Sequence, residues 1–188
     1  MKNTIKCICF VLLYINIFLI VSTISSSTIS SVNAQHHGAP PPLATIGDRN
    51  IKMNFVTEPT IIVAGQQSQL KMSLMDANTG GKIQHVTYRI TISKDNQTKI
   101  SDFFHSHTGD LSLSSRNTNS TPSINVEGTF DDLTNAVIPD PSGTIEIAGP
   151  LFSDAGIYKA NIEITTMDND KTDLSVPLKY QFDINVKK

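Results

Sequence analysis

Ile83-Gln-His-Val-Thr-Tyr-Arg-Ile-Thr-Ile-Ser93 alternates apolar and polar side chains, with Val86, Tyr88, Ile90 and Ile92 facing one way and His85, Thr87, Arg89 and Thr91 the other. Successive side chains of an extended chain point to opposite faces, so the pattern predicts a strand with one face on a core and the other toward water. No other alternating run in the chain is as long. Turns bound it on both sides: Asp76-Ala-Asn-Thr-Gly-Gly81 carries two glycines able to take positive φ, and Lys94-Asp-Asn-Gln97 turns the chain again.

Period two continues outward in both directions. Upstream, Gln69 to Met75 sets Leu70, Met72 and Leu74 on one face, and Lys52 to Val56 and Thr60 to Ala64 are short β-branched runs. Between those two runs stands Glu58-Pro59. Proline cannot donate to a ladder, so the first strand is expected to break there and to switch partner. Downstream, Thr98 to Phe104 reads as a strand, Leu111 and Leu113 as a short one, Ser114 to Ser123 as a polar loop and Ile124 to Phe130 as a further strand. Asp140-Pro-Ser-Gly143 is a turn, Thr144 to Ala148 and Ile157 to Thr166 are strands, and Met167 to Asp173 is a polar turn. Val176 to Val186 closes the chain with Leu178, Tyr180, Phe182, Ile184 and Val186 on one face. No segment keeps a 3.6-residue apolar period over three turns, so the expectation is an all-β antiparallel sandwich of about 7–9 strands.

Asp154-Ala-Gly-Ile-Tyr158 leads into Lys159-Ala-Asn-Ile-Glu-Ile164. This resembles the tyrosine corner of immunoglobulin-like domains, Asp-x-Gly-x-Tyr-x-Cys, with Ala160 where the cysteine would stand. The resemblance covers about Asn50 to Lys188 and implies a buried Tyr158 whose hydroxyl bonds to nearby backbone. With no partner cysteine on the second strand and no Trp, it implies a disulfide-free branch of the immunoglobulin-like or fibronectin-like kind.

The amino terminus has the order of an export signal. Lys2 and Lys6 precede the apolar run Cys7 to Val21, and Ser31-Val-Asn-Ala34 supplies small residues at a cleavage site. About 15 apolar residues fit a signal, whereas a span needs about 20. Cleavage after Ala34 makes residues 1–34 a signal peptide; retained, the same segment is an anchor. Either way the expected location is secreted or cell-surface. Residues 35–50 include His36, His37 and Pro40 to Pro42, which reads as a His- and Pro-rich linker. Residues 51–188 then form the domain. The layout as a whole resembles exported proteins of ammonia-oxidising archaea, which implies location more than activity.

Of 188 residues, 39% are hydrophobic, 17% charged and 6% aromatic, enough for one modest core and too ordered a mixture for a disordered polyelectrolyte. The formal net charge is −2 and becomes more negative without Lys2 and Lys6. That offers no basis for gripping phosphates, so nucleic acid is not an expected partner. Both cysteines, Cys7 and Cys9, lie in the apolar run, so the mature chain has no disulfide, no thiolate nucleophile and no Cys-ligated metal.

Histidine carries what chemistry remains. Cleavage after Ala34 would place His37 third, letting the amine, two deprotonated amides and an imidazole wrap Cu(II) or Ni(II) in a square plane; cyclisation of Gln35 would remove the amine. His105-Ser-His107 puts two imidazoles on one side of an extended chain, where both can meet one metal, with Asp102, Asp110 or distant His85 as further ligands. Two ligands alone hold a metal poorly, and exposed polar residues beside a turn are the ordinary alternative. Copper suits such a set better than structural zinc. Asp168-Asn-Asp-Lys-Thr-Asp173 alternates oxygen donors but has Asp173 where a calcium loop needs glycine and Lys179 where it needs glutamate, so it reads as a hairpin turn. Asn96 and Asn119 head glycosylation sequons. No nucleophile elbow, His-Glu-x-x-His or phosphate-cradling glycine loop occurs, so no enzyme is expected. These residues leave two functional expectations: an exported immunoglobulin-like binding module for a protein or surface ligand, and an extracytoplasmic copper-handling protein using His36, His37, His105 and His107.

Overall fold

The computed structural model describes Asn33–Ala34, Leu43–Ile46 and residues 48–118 and 123–188. The rest of the leader, His36, His37, the three prolines and the sequon asparagine Asn119 lie outside the described residues. The chain divides into units Met1–Ser30 and Ser31–Lys188, and the strands among the described residues belong to the second.

The described residues form strands only, arranged in two sheets. In one sheet the order is β1 (Asn33–Ala34), β14 (Asp173–Lys187), β13 (Gly156–Thr166), β6 (Val86–Lys94), β7 (Gln97–Ser106), β11 (Ala136–Ile138) and β10 (Thr129–Asp131), with β4 (Ile62–Val63) also on β14. In the other the order is β2 (Leu43–Ile46), β3 (Arg49–Glu58), β5 (Ser68–Asp76), β8 (Asp110–Arg116), β12 (Thr144–Ala148) and β9 (Asn125–Glu127).

The alternation chooses the inner faces. Val86, Tyr88, Ile90 and Ile92 of β6, Tyr158 to Ile164 at every second position of β13, and Leu178 to Val186 at every second position of β14 are all buried. They meet Ile51, Met53 and Phe55 of β3 and Leu70, Met72 and Leu74 of β5 in one shared core. Phe55 stacks on Phe182 with ring centroids 4.3 Å apart, and the Tyr180 hydroxyl donates to the Ile51 carbonyl at 3.1 Å, so both contacts cross from sheet to sheet. Tyr158 is fully buried, its hydroxyl donating to the Asp154 carbonyl at 3.0 Å and receiving the Asp154 N–H at 3.4 Å.

Pro59 does break the first strand and change its partner: β3 pairs with β5, whereas β4 pairs with β14 of the opposite sheet. Leu43–Ile46, expected to be part of the linker, is instead a strand on β3, with Ala44 and Ile46 against the core. The run Ile124 to Phe130 divides into β9 and β10 in different sheets. Gly128 sits at the division, where an added Cβ would lie 2.4 Å from Val137 Cγ1.

The expected antiparallel arrangement holds only in part. β12 runs parallel to β8, β11 parallel to β7, and β1 and β4 parallel to β14. Parallel neighbours need long connections, and the chain between β8 and β12 supplies one by visiting β9, β10 and β11 before returning in the same direction. The count exceeds 7–9 because several segments of two or three residues pair at the edges.

Candidate metal centre

The outer face of β6 and β7 departs from the alternation rule where it matters most. Period two sends Thr87 and His105 outward, as cross-strand partners, yet they are 3% and 0% exposed. Asp170 of the β13–β14 connection, residues 167–172, lies against His105, and Thr87 lines a cleft shared with Asp170, Lys171 and Leu133 to Asn135 of the β10–β11 turn.

That connection is held in place by its own side chains. Asn169 Nδ2 donates to the Met167 carbonyl at 3.0 Å, and Asn169 Oδ1 accepts the Lys171 N–H at 3.0 Å and the Thr172 N–H at 2.5 Å. Arg49 ties Asp168 at 2.5 Å and Asp76 at 3.3 Å, linking the connection to β3 and β5. The Asp168 N–H donates to the Gln84 carbonyl at 2.9 Å, and the His85 N–H donates to the His107 carbonyl at 3.1 Å. His85 and Asp168 both adopt left-handed backbone, with φ of 50° and 61°. Such conformations are uncommon outside glycine and collect at functional sites. Gly109, φ 78°, closes the β7–β8 turn; a Cβ there would lie 1.8 Å from the Ile83 carbonyl oxygen, so only glycine allows the turn after His107 to approach the segment leading to His85.

Three imidazoles and one carboxylate converge as a result. His85 Nδ1 lies 2.7 Å, His105 Nε2 3.1 Å and His107 Nδ1 3.7 Å from Asp170 Oδ1. His107 Nδ1 is 3.3 Å from His105 Nε2 and 3.4 Å from His85 Nδ1. One donor atom from each residue lies within 4.8 Å of the others. Bonds of about 2.0–2.1 Å place ligand atoms about 3.3–3.4 Å apart in a tetrahedron, and about 2.8–3.0 Å along the edges of a square. The five separations straddle these values, so the four side chains are spaced as a group that could hold one ion.

Charge favours the same use. Burial, followed by the neighbouring His107, holds the His105 pKa below the ordinary imidazole value, which keeps the ring neutral and able to ligate. Burial pushes Asp170 upward, but its hydrogen bond to His85 and the three imidazoles outweigh this and hold it below the usual carboxylate range. His105 is walled in, whereas the side chains of His85 and His107 are 40% and 55% exposed, which gives an ion access from solvent on that side.

The structure therefore brings together His105, His107 and the distant His85 anticipated from the sequence, and adds Asp170. Asp102 lies apart, accepting the Phe103 N–H at 2.8 Å, and Asp110 pairs with Lys82 at 2.5 Å. Asp170 was legible only as one of the alternating oxygen donors of a polar turn; its reach to β7 depends on the order of strands in the sheet. Compared with protein families, with curated proteins and with solved structures, the chain finds no match.

Proposed function

We propose that this chain is an exported β-sandwich protein of immunoglobulin-like character that binds a divalent transition metal, Cu(II) foremost, through His85, His105, His107 and Asp170. The observation that carries the reading is the meeting of three imidazole nitrogens on one carboxylate oxygen, supplied by three separate segments of chain. Imidazole and carboxylate donors without sulfur suit Cu(II), Ni(II) and Zn(II), and for nitrogen and oxygen sites affinity peaks at Cu(II). The test is calorimetric titration of the full chain with Cu(II) and with Zn(II), repeated on H85A, H105A, H107A and D170N and on H36A/H37A. The expected result is one ion per chain, lost in the first four variants and retained in H36A/H37A. Retention in H105A and H107A with loss in H36A/H37A would move the site to the amino terminus and overturn this reading.

A second reading, an interaction module, is favoured by exposed Phe130, Leu133 and Val176, which are 56%, 53% and 71% exposed. Apolar side chains left in water are available to a protein partner. A partner that docks there would lose affinity with F130S or L133S and be indifferent to H105A.

A further inference from the structure

Resting on the metal-binding reading, we infer that Thr87 and Thr166 are positioning residues: they form a hydroxyl relay that holds the His105 ring through Nδ1 in either tautomer and reverses direction when metal binds. The two threonines and His105 form one row across three strands, Thr166 opposite Thr87 and Thr87 opposite His105. All three are buried. Thr166 lies beyond a register shift after Ile164, which is what brings a hydroxyl into line with the row.

In the metal-free protein His105 Nε2 has two polar neighbours, Asp170 Oδ1 at 3.1 Å and His107 Nδ1 at 3.3 Å, and the nearer, charged one decides where the ring proton sits. A bare nitrogen lone pair facing a carboxylate oxygen would be repelled, so Nε2 carries the ring proton. Nδ1 is then an acceptor, and its neighbour at 2.9 Å is Thr87 Oγ1, which must donate. Thr87 Oγ1 in turn receives the Thr166 hydroxyl at 2.7 Å, and Thr166 Oγ1 receives the Thr87 backbone N–H at 3.1 Å. Every donor in the row has an acceptor.

A metal on Nε2 inverts this order. The ring proton must now sit on Nδ1, because a neutral imidazole that ligates through one nitrogen is protonated at the other. Thr87 Oγ1 becomes the acceptor from Nδ1, its own hydrogen turns to Thr166 Oγ1, and the Thr166 hydroxyl turns toward the cleft that Thr166 lines with Asp170 and Lys171. The proton count of the ring is unchanged: water takes one from Nε2 and returns one at Nδ1. The hydroxyls adapt by rotation alone, which a backbone carbonyl or a carboxylate in the same place would not do. Thr87 thus serves His105 in both states.

The test uses the full chain. Long-range ¹⁵N NMR of the metal-free protein is expected to show His105 protonated at Nε2 with Nδ1 accepting. Titration with Cu(II) is expected to give about 10- to 100-fold weaker binding for Thr87→Val, which keeps the shape and removes the hydroxyl, while Thr87→Ser retains most of the wild-type affinity. A metal-free His105 protonated at Nδ1, a T87V protein that binds as wild type, or a T87S protein as weak as T87V would each overturn the relay while leaving the metal site standing. A wild-type chain that binds no Cu(II) overturns the site and the relay with it. Should T87V not fold, the tautomer measurement and T87S decide.

Discussion

His105 and His107 stand two positions apart and face the same four-residue cluster, yet their substitution should cost different things. His105 is fully buried and bonded at Nδ1, so H105A removes a packed ring and strands the Thr87 hydroxyl; a loss of about 2–4 kcal/mol in urea unfolding is expected. His107 is largely in solvent, and H107A should stay within about 0.5 kcal/mol of wild type. Both should weaken Cu(II) binding by more than about 100-fold, because losing a ligand exceeds the cost of losing a ligand's support. Tyr158 offers a control away from the metal. Y158F leaves the core volume and removes the hydroxyl bonds to Asp154, for an expected loss of about 1–2 kcal/mol without change in metal binding. Tyr158 was readable from Asp-x-Gly-x-Tyr because both hydroxyl bonds go to Asp154, four residues away.

Turns show the same local legibility among the elements. Asp140-Pro-Ser-Gly143 forms as expected, with Asp140 Oδ1 accepting from the Ser142 hydroxyl and from the N–H groups of Ser142 and Thr144. The Ser142 hydroxyl bond, then the Thr144 N–H, hold the Asp140 carboxyl below its ordinary value of 3.8. Between its folded and unfolded pKa values the unfolded chain binds more protons, so the contribution of Asp140 is present above about pH 4 and is lost as pH falls through the folded value. Denaturant unfolding of D140A against wild type should show a stability gap at pH 7 that closes at the acid end. Strands with strong alternation, β5, β6, β13 and β14, were equally readable. The run Ile124 to Phe130 was read as one strand, and neither its division into β9 and β10 nor the strand β11 was readable, since three residues carry too little period to detect. The parallel pairing of β8 with β12 escaped for a different reason: alternation fixes which face a residue takes, not which strand lies alongside.

At the scale of the molecule, the candidate site is where three distant segments meet, and that meeting is what sequence spacing could not supply. His105-Ser-His107 announced two imidazoles on one side of a strand. His85 and Asp170 complete the set only because β13 lies beside β6 and its exit loop folds over the outer face of the sheet. Metal held across these segments joins β6, β7 and the β13–β14 connection, so binding to the folded state alone should stabilise the whole domain. At Cu(II) about 100 times the dissociation constant the gain is about 2.7 kcal/mol, which should raise Tm by roughly 5 °C or more and be reversed by a chelator. The H105A and H107A proteins should show no such rise. The central claim is tested most directly by X-ray absorption at the copper edge on the full chain loaded with one equivalent of Cu(II). Three imidazole nitrogens and carboxylate oxygen at about 2.0 Å form the expected shell. A shell with deprotonated backbone amides and a single imidazole, or one made of oxygen alone, would contradict it.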